Sequence, residues 1–432
     1  MVIPRLVRRQ PVVLLAVVGI VGVVLYDLAF VRSDNFAGYW TSTVSNASIF
    51  LIFSCAVSSA GAALAAGRAR RGGLWATPAA RKRSTLAFTA LSPALLAGLV
   101  VQFSGLAVLI PPTIGAPGRI PFEMFFAWVA ILVFHCALGF VLGRFLPMVA
   151  SIPVAIFLSY CWLGFTWSVD YYPIRYLAGL VMVDCCSVDT VLDTRAIVAV
   201  IVFSVIGAAA LLCTAVAPPL DLGRAKTAAS WAVTVLGVIG AAVGGLHVAA
   251  DLGPQPLRDR PSSEQRCEGS GPVVCLYPQQ TAEGDPRTVL HRATTNLAAA
   301  GVHVPGRIEG SRGRSSAAVL RMVVAPHTST PVVIESLAAS LLPDDLAPYC
   351  GDGSDYPQRV DDAVVASWWL SSVAGRGQIS EDAIRPIASS ADTTAMIERF
   401  SHLTAAEQRS WYRSAMPALR SCDRAPVEVP TP

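Results

Sequence analysis

Residues 47–67 read ASIFLIFSCAVSSAGAALAAG, and residues 68–88 continue as RARRGGLWATPAARKRSTLAF. The first run carries no charge and is long enough to cross a bilayer as a helix, which takes about 20 residues. The second holds six cationic side chains between Arg68 and Arg83 before the chain becomes apolar again. Together they predict two transmembrane helices joined by a loop on the cytoplasmic side.

The same alternation of apolar runs and polar loops continues through the first 250 residues. The chain is 53% hydrophobic and 14% charged, whereas an ordinary soluble domain is roughly 25% charged. The apolar run nearest the N-terminus is too long for a signal peptide and no A-x-A site follows it, so we expect it to remain as an anchor. We therefore predict a multi-pass α-helical membrane protein with about seven transmembrane helices, at residues 11–30, 47–67, 86–110, 122–142, 148–168, 196–217 and 230–250.

The distribution of charge predicts how these helices are oriented. With a cytoplasmic N-terminus, the inner loops hold 12 Arg and Lys residues and the outer loops hold 4, which satisfies the positive-inside rule. Seven helices then place the last 180 or so residues outside the cytoplasm. Residues 1–250 carry a net charge of +8 and residues 251–432 a net charge of −4, so we expect no nucleic-acid partner. The abundance of Ala, Arg, Gly and Pro is typical of a GC-rich bacterium, and we expect a bacterial cell membrane.

Four cysteines support an extracytoplasmic location for the C-terminal domain. Cys267, Cys275, Cys350 and Cys422 all lie beyond the seventh helix, and disulfides are typical of oxidising compartments. Four cysteines allow three pairings. We favour Cys267 with Cys275, which closes a short loop, and Cys350 with Cys422, which ties the end of the domain to its middle.

The sequence divides into four parts. These are a six-helix domain at residues 1–217, an inner loop with the seventh helix at 218–250, a polar linker at 251–266, and an extracytoplasmic disulfide-bonded domain at 267–432.

In this last domain we predict strands at 273–277, 319–324 and, more weakly, 331–334. Helices are predicted at 286–300, 360–374 and 405–420, the last opened by the capping box from Thr404 to Glu407. The domain is thus predicted to be α+β or mainly helical.

The cationic loop carries a further motif, Gly72-Gly73-Leu74-Trp75-Ala76-Thr77-Pro78, before its second basic cluster, Arg81-Lys82-Arg83. With the six-helix pattern, this motif resembles the transmembrane subunits of type-2 ABC exporters (ABC-2 type permeases). A turn at residues 143–147 between helices four and five, and an apolar outer stretch at 171–184, fit that layout. The resemblance covers about residues 1–217.

The resemblance implies a permease subunit that docks on a separate ATPase through this loop. The implied docking residues are Leu74, Trp75, Pro78, Arg81, Lys82 and Arg83. Trp75 supplies an apolar anchor for a groove on the partner, and the basic cluster holds the loop at the anionic inner leaflet. The resemblance also implies that two membrane subunits, identical or different, pair in the bilayer. The seventh helix and the C-terminal domain depart from the family pattern.

We find no sequence motif for catalysis or for a cofactor. The chain lacks G-x-x-x-x-G-K-[ST], H-E-x-x-H, G-x-S-x-G and C-x-x-C. We expect no enzyme activity, no cofactor and no metal, so any ATP hydrolysis must come from another polypeptide.

Two features inside the predicted helices are candidates for a role in transport or in helix packing. His135 lies in the middle of the fourth helix, where an ionisable side chain is a candidate for the transport path; a structural histidine paired to a neighbouring helix is the alternative. Gly240 and Gly244 form a GxxxG motif that permits close helix packing.

The sequence thus supports two hypotheses. In the first, the chain is the permease subunit of an ABC-type exporter with an added extracytoplasmic binding domain. In the second, it is a membrane-anchored sensor or assembly scaffold whose outer domain binds a ligand or partner, and it transports nothing.

Overall fold

The structure is a computed structural model that describes residues 11–31, 38–73, 83–216, 224–282, 284–326, 328–343, 356–376 and 391–430. The chain divides into two compact units on either side of Asp259 and Arg260. We call residues 1–259 the helical unit and residues 260–432 the C-terminal unit. The division falls inside the segment 251–266 that the sequence assigns to a linker.

Within the described residues, seven helices are long and apolar enough to span a membrane, which confirms the predicted number. They are formed by α1 Pro11–Phe30, α2 Trp40–Asn46, α3 Leu51–Arg71, α4 Arg83–Leu109, α5 Phe122–Phe145, α6 Met148–Trp167, α8 Thr194–Val216 and α9 Arg224–Val248. Helices α2 and α3 count as one span because only a short 3-10 turn at Ala47–Phe50 separates them.

Helix α3 is the centre of the helical unit, and the span that contains it is the most buried of the seven. It packs against α4, α5 and α6. Gly139 and Gly143 of α5 face the carbonyl oxygens of Ser59 and Ala63 on α3, so a Cβ atom at either glycine would collide with that backbone. This small-xxx-small pairing lets the two helices approach closely, as is common in membrane helix interfaces.

The GxxxG motif picked out from the sequence does not play this part. A Cβ atom at Gly240 would meet no atom within 4 Å, and at Gly244 only the side chain of Val202 at 3.4 Å. Within the described residues, neither glycine makes a close contact with the backbone of another helix. Two glycines four residues apart permit close approach but do not specify which face of the helix meets a neighbour.

A compact cap lies between α6 and α8, where the sequence shows the apolar stretch 171–184. Helix α7 at Tyr172–Ala178 leads into a 3-10 turn at Leu180–Asp184, and the side chains from Tyr176 to Met182 are almost entirely buried. Strand β1 at Thr190–Leu192 pairs antiparallel with β2 at Leu257–Asp259, the segment that follows α9. The chain leaving the last helix is therefore fastened to this cap.

Hydrogen bonds between distant parts of the helical unit hold the cap in place. The Tyr39 hydroxyl donates to the carbonyl of Thr190 at 3.1 Å, and the Tyr176 hydroxyl donates to the carbonyl of Gly253 at 2.6 Å. Burial raises the pKa of the Asp184 carboxyl, and a hydrogen bond from the indole of Trp167 acts in the opposite direction. Cys185 and Cys186, at the end of the 3-10 turn, are joined to each other.

The C-terminal unit is built on a four-stranded mixed sheet, so the α+β form of the prediction is the observed one. The strand order is β3-β4-β5-β6, with β3 antiparallel to β4 and the other neighbours parallel. The strands are β3 Arg266–Glu268, β4 Val273–Leu276, β5 Arg307–Glu309 and β6 Val319–Arg321. The sequence located β4 and β6 but not β3 and β5, which are three residues long and carry charged ends.

The helices of this unit are α10 Arg287–Ala299, α11 Thr330–Ser340, α12 Tyr356–Ser371, α13 Ala391–Ser401 and α14 Ala405–Arg420. The capping box is present as predicted: Glu407 N donates to Thr404 Oγ1 at 3.3 Å, and Thr404 N donates to Glu407 Oε2 at 2.8 Å. Gly301, with φ of +81°, follows α10 and takes a left-handed conformation that suits a glycine after a helix.

The weak strand at 331–334 is a wrong prediction, because these residues lie in the first turns of α11. Pro331 occupies the beginning of this helix, a position that proline tolerates since the first amides have no intrahelical partner. The run Val332-Val333-Ile334 reads as a strand by composition, but a short apolar run cannot be assigned by periodicity alone.

Large apolar and aromatic side chains form the core of the C-terminal unit. Leu290, Ile308, Trp369, Phe400 and Trp411 all belong to it. Helix α12 also fastens the final segment of the chain through two buried polar side chains. The Arg359 guanidinium donates to the carbonyls of Ala418 and Arg424, and Asp362 Oδ2 accepts from Val427 N at 3.3 Å.

Candidate functional site

The predicted docking residues are mostly outside the described part of the chain. Leu74, Trp75, Pro78, Arg81 and Lys82 lie outside the described residues, and Arg83 is the first residue of α4. Arg68, Arg70 and Arg71 occupy the last turn of α3, just before the glycine pair that opens the motif. Cations at this end of a helix are favourable because the helix dipole places partial negative charge there.

His135 is completely buried in the helical unit, on α5. Its Nδ1 lies 2.9 Å from the hydroxyl oxygen of Ser159 on α6. The ring of Phe134 meets it edge-on, with centroids 5.4 Å apart. Its Nε2 has no hydrogen-bond partner among the described residues. His135 thus links α5 to α6 through Nδ1 and keeps Nε2 without a partner among the described residues.

Four helices meet next to this histidine. The Ser59 hydroxyl on α3 donates to the carbonyl of Ala155 on α6 at 3.3 Å, one turn from Ser159. Cys136 Sγ on α5 donates to the carbonyl of Ser58 at 3.8 Å. On the other side of α3, the Ser58 hydroxyl lies against Gly98 of α4, where a Cβ atom would collide with it. We call this meeting of α3, α4, α5 and α6 the polar junction.

Buried polar groups continue from the polar junction along α3 toward α2. Gln102 on α4 accepts from the Ser54 hydroxyl at 2.9 Å and donates to the carbonyl of Ala47 at 2.9 Å. The indole of Trp128 on α5 donates to the hydroxyl of Ser48 at 3.0 Å. From Ser48 to Ser59 these groups extend over about 16 Å at 1.5 Å per residue. We call the whole row the polar seam.

Several hydroxyls in this region lack partners. Ser42, Ser45 and Ser58 are fully or almost fully buried, and their Oγ atoms have no hydrogen-bond partner within the part of the chain that the structure describes. A buried polar group left unpaired costs about 1–3 kcal/mol. Such groups within apolar helices are functional candidates, because a mobile polar species can satisfy them.

Sequence reasoning identified His135 but missed its surroundings. It did not predict a role for Ser159, Gln102 or Trp128. Gln102 could have been found, because an amide in the middle of a predicted span is a candidate for a buried hydrogen bond. Ser54 and Ser58 are four residues apart and so lie on one face of a helix. Which helices this face meets is a property of the packing alone.

The cysteines of the C-terminal unit are placed as follows. Cys267 and Cys275 form a disulfide and are directly opposite each other on β3 and β4. Cys422 is also disulfide-bonded. Its expected partner, Cys350, lies outside the described residues. Cys55, Cys136, Cys161 and Cys213, in the apolar helices, are free thiols.

The C-terminal unit has a cavity of about 250 Å³ at the carboxyl ends of its parallel strands. Gln280 lines the cavity and is almost completely buried. Its amide nitrogen donates to the carbonyls of Gly310 and Val324 at 3.0 and 2.7 Å, and its oxygen accepts from Tyr277 N at 2.8 Å. Tyr277, Gly310 and Val324 follow β4, β5 and β6, so one side chain joins three strand ends. Crevices at such strand ends are common ligand sites in α/β sheets.

Comparison with known proteins finds one family in the C-terminal unit. Residues 274–422 match the model of a domain of unknown function (DUF7224). No curated protein and no solved structure matches the chain. The match covers about a third of the chain and lies within the unit that contains the cavity.

Proposed function

We propose that this chain is the transmembrane permease subunit of an ABC-type exporter, working with a separate ATPase subunit and using the C-terminal unit as a binding domain. The observation that carries the proposal is the polar seam with His135 at its end. Ser58 Oγ and His135 Nε2 are buried in it without a partner among the described residues, and a helical unit that served only as an anchor would gain nothing from such groups, since each destabilises the fold.

The side chains of the polar seam suit the passage of a polar, uncharged group better than the passage of an ion. Its side chains are hydroxyls, an amide, an indole and one imidazole, and none of them carries a carboxylate or a fixed cation. Hydroxyl and imidazole groups both donate and accept hydrogen bonds. During a transport cycle, the free Nε2 of His135 would bond a polar group that moves along the opened contact between α3, α5 and α6.

The partnership with an ATPase rests on the cationic loop, and the proposal assigns its docking role to Leu74 and Trp75. Replacing Trp75 with Ala removes an aromatic anchor and should cost about 2 kcal/mol, or roughly 30-fold in affinity for the ATPase. Changing Arg81, Lys82 and Arg83 to Gln should instead disturb membrane placement, because each charge contributes about 1 kcal/mol at the inner leaflet.

The test is quantitative co-purification of any P-loop ATPase with this chain from its native membrane, at equal membrane expression of wild type and Trp75→Ala. Clearly reduced recovery with the variant supports docking through Trp75. Equal recovery removes Trp75 from that role. If no ATPase accompanies either protein, the exporter proposal fails.

The proposal places the N-terminus in the cytoplasm and the C-terminal unit outside it, on the strength of the 12-to-4 bias of basic residues and the disulfides. An alkaline phosphatase fused to the C-terminus should then be active. A green fluorescent protein at the same position should stay dark when it is exported unfolded, and a bright one would reverse the orientation.

One observation favours the second hypothesis, a membrane-anchored sensor or scaffold. The C-terminal unit has its own core and its own cavity, and the family match is confined to it. A sensor would retain ligand binding by this unit when His135 or Ser159 is replaced, and no transported substrate would depend on either residue.

A further inference from the structure

The cavity at the strand ends of the C-terminal unit is lined by both apolar and polar side chains. The apolar ones include Val289, Val324 and Val333. The polar ones, which we call the rim, include Asp285 and Thr328. Its volume of about 250 Å³ equals that of roughly eight water molecules in the liquid. A ligand that fills it is therefore smaller than a typical drug, whose pockets run from about 300 Å³ upward.

The rim contains a carboxylate. Among the described residues that line the cavity, Asp285 is the one charged side chain. Its Oδ1 accepts from Arg287 N at 3.0 Å, and its Oδ2 accepts from the Arg287 guanidinium at 3.1 Å. Each carboxylate oxygen has a second lone pair, so both oxygens can accept one more hydrogen bond.

Arg287 does not neutralise this carboxylate alone. Its other terminal nitrogen donates to the carbonyl of Arg266 at 2.9 Å and lies 3.7 Å from Glu268. One buried guanidinium thus serves two carboxylates, and the group of three has a formal charge of −1. The guanidinium is not part of the cavity lining, whereas the Asp285 side chain is about half exposed toward solvent.

Two further side chains of the rim can act as acceptors. The Thr328 hydroxyl donates its proton to the carbonyl of Ala325, which leaves its oxygen free to accept. Ser329, at the beginning of α11, makes no capping hydrogen bond with its side chain. An ammonium group has three donors and no acceptor, so it matches a rim that combines one carboxylate with hydroxyl oxygens.

We infer that this cavity binds a small organic ammonium ion with a short branched apolar body, the ammonium at Asp285 and Thr328 and the apolar body against Val289, Val324 and Val333. This inference deepens the binding role proposed above for the C-terminal unit. It does not depend on the ATPase partnership.

The test uses the full chain in lipid nanodiscs and three probes with one carbon skeleton: 3-methylbutylamine, 3-methyl-1-butanol and 3-methylbutanoate. Hydrogen–deuterium exchange of the peptides around residues 284–290 and 328–334 reports occupation of the cavity, and it is insensitive to partition of a probe into lipid. Probe concentrations on the order of 10 mM are suitable, because ligands of this size bind in the millimolar range.

We expect saturable protection of both peptides by the amine alone. Asp285→Asn keeps an oxygen for Arg287 N but loses the charge, and it should weaken binding of the amine by about 10- to 100-fold. Ala325→Leu, at an exposed lining position, should block the cavity without touching the core. The matched control is Asp423→Asn, the same change at an exposed carboxylate away from the cavity.

Equal protection by the alcohol or the carboxylate would overturn the inference, because the charge of Asp285 would then contribute nothing. Protection by none of the probes would also overturn it. Binding of the amine that survives both Asp285→Asn and Ala325→Leu would place the ligand elsewhere. ATPase co-purification with Asp285→Asn is measured in parallel, so failure of this inference is distinguishable from failure of the exporter proposal.

Discussion

The helical unit and the C-terminal unit are each stabilised by a different kind of buried side chain. The centre of the helical unit, α3, presents serines, alanines and glycines to its neighbours, and α5 meets it through Gly139 and Gly143. The C-terminal unit instead buries leucines, valines and aromatic rings in a single core. In lipid there is no hydrophobic gain from packing leucine on leucine, so close backbone approach and hydrogen bonds take over. In water, apolar burial of about 25 cal/mol per Å² dominates.

Because their cores differ, the two units are expected to place their functional polar groups in different positions. A core of small residues leaves hydroxyls and backbone groups accessible to one another. It contains the atoms of the polar junction that have no partner within the described part of the chain. A core of large apolar residues excludes polar groups, so the C-terminal unit presents its polar chemistry at the strand ends. The four predictions that follow test this contrast, from the largest expected effect to the smallest.

The first prediction concerns the C-terminal unit and its covalent link. Cys422→Ser should lower the free energy of unfolding of this unit by about 4 kcal/mol if the predicted pairing with Cys350 is correct, because that bond would close a loop of about 70 residues. Denaturant unfolding followed by hydrogen exchange should show the C-terminal unit opening while the helical unit keeps its protection. Cys213→Ser, at a free thiol, is the control. Joint loss of both units would mean that they do not fold independently.

The second prediction concerns the contact between α3 and α5. Gly139→Leu should destabilise the helical unit by about 3 kcal/mol or more, because the new side chain must displace the backbone of Ser59. Gly240→Leu is the matched control, since that position faces open space. Thermal unfolding in nanodiscs measures both. Similar midpoints for the two variants would show that close approach at Gly139 does not hold the bundle.

The third prediction is a pH dependence that arises in the C-terminal unit. Burial raises the pKa of Asp362 from 3.8 to about 6, the neighbouring Asp361 adds to the shift, and the bonds from Gln358 and Val427 and the charge of Arg359 oppose it. Because the folded pKa is the higher one, this contribution to stability is full below about pH 4 and is lost as the pH rises through about 6.

The loss should amount to about 1–2 kcal/mol after allowance for solvent screening. Hydrogen exchange of the peptides around 356–371 and 427–429, corrected for intrinsic rates, should show stronger protection at pH 5 than at pH 7. Asp362→Asn should remove that difference, and the exposed Asp423→Asn should keep it. An unchanged difference in Asp362→Asn would assign the pH dependence to another group.

The smallest effect is expected in the polar junction. Ser159→Ala removes the partner of His135 Nδ1, and hydrogen bonds between membrane helices average only about 0.6 kcal/mol. The thermal midpoint in nanodiscs should fall slightly, and substrate export should fall much more. Ser92→Ala, at an exposed hydroxyl of α4, is the control for both readouts. A large loss of stability with Ser159→Ala would make the pair structural and weaken the transport role of His135.

The sequence by itself determined the features that depend on local composition. Seven apolar runs predict seven helices because a bilayer demands length and apolarity from each segment separately. The capping box at Thr404 and the end of α10 at Gly301 could also be predicted, because each depends only on residues that are close in the sequence. His135 was found because an ionisable side chain stands out in an apolar run.

Only the tertiary structure decided which faces meet. It selected Gly139 and Gly143 rather than Gly240 and Gly244 for close packing, because contact depends on the orientation of a helix toward its neighbours. It gave His135 its partner Ser159, and it made α11 a helix where a short apolar run reads as a strand. It also joined three strand ends through Gln280, whose partners lie up to 44 residues away along the chain. Contacts between distant residues leave no local pattern in the sequence, and they form only when the elements pack.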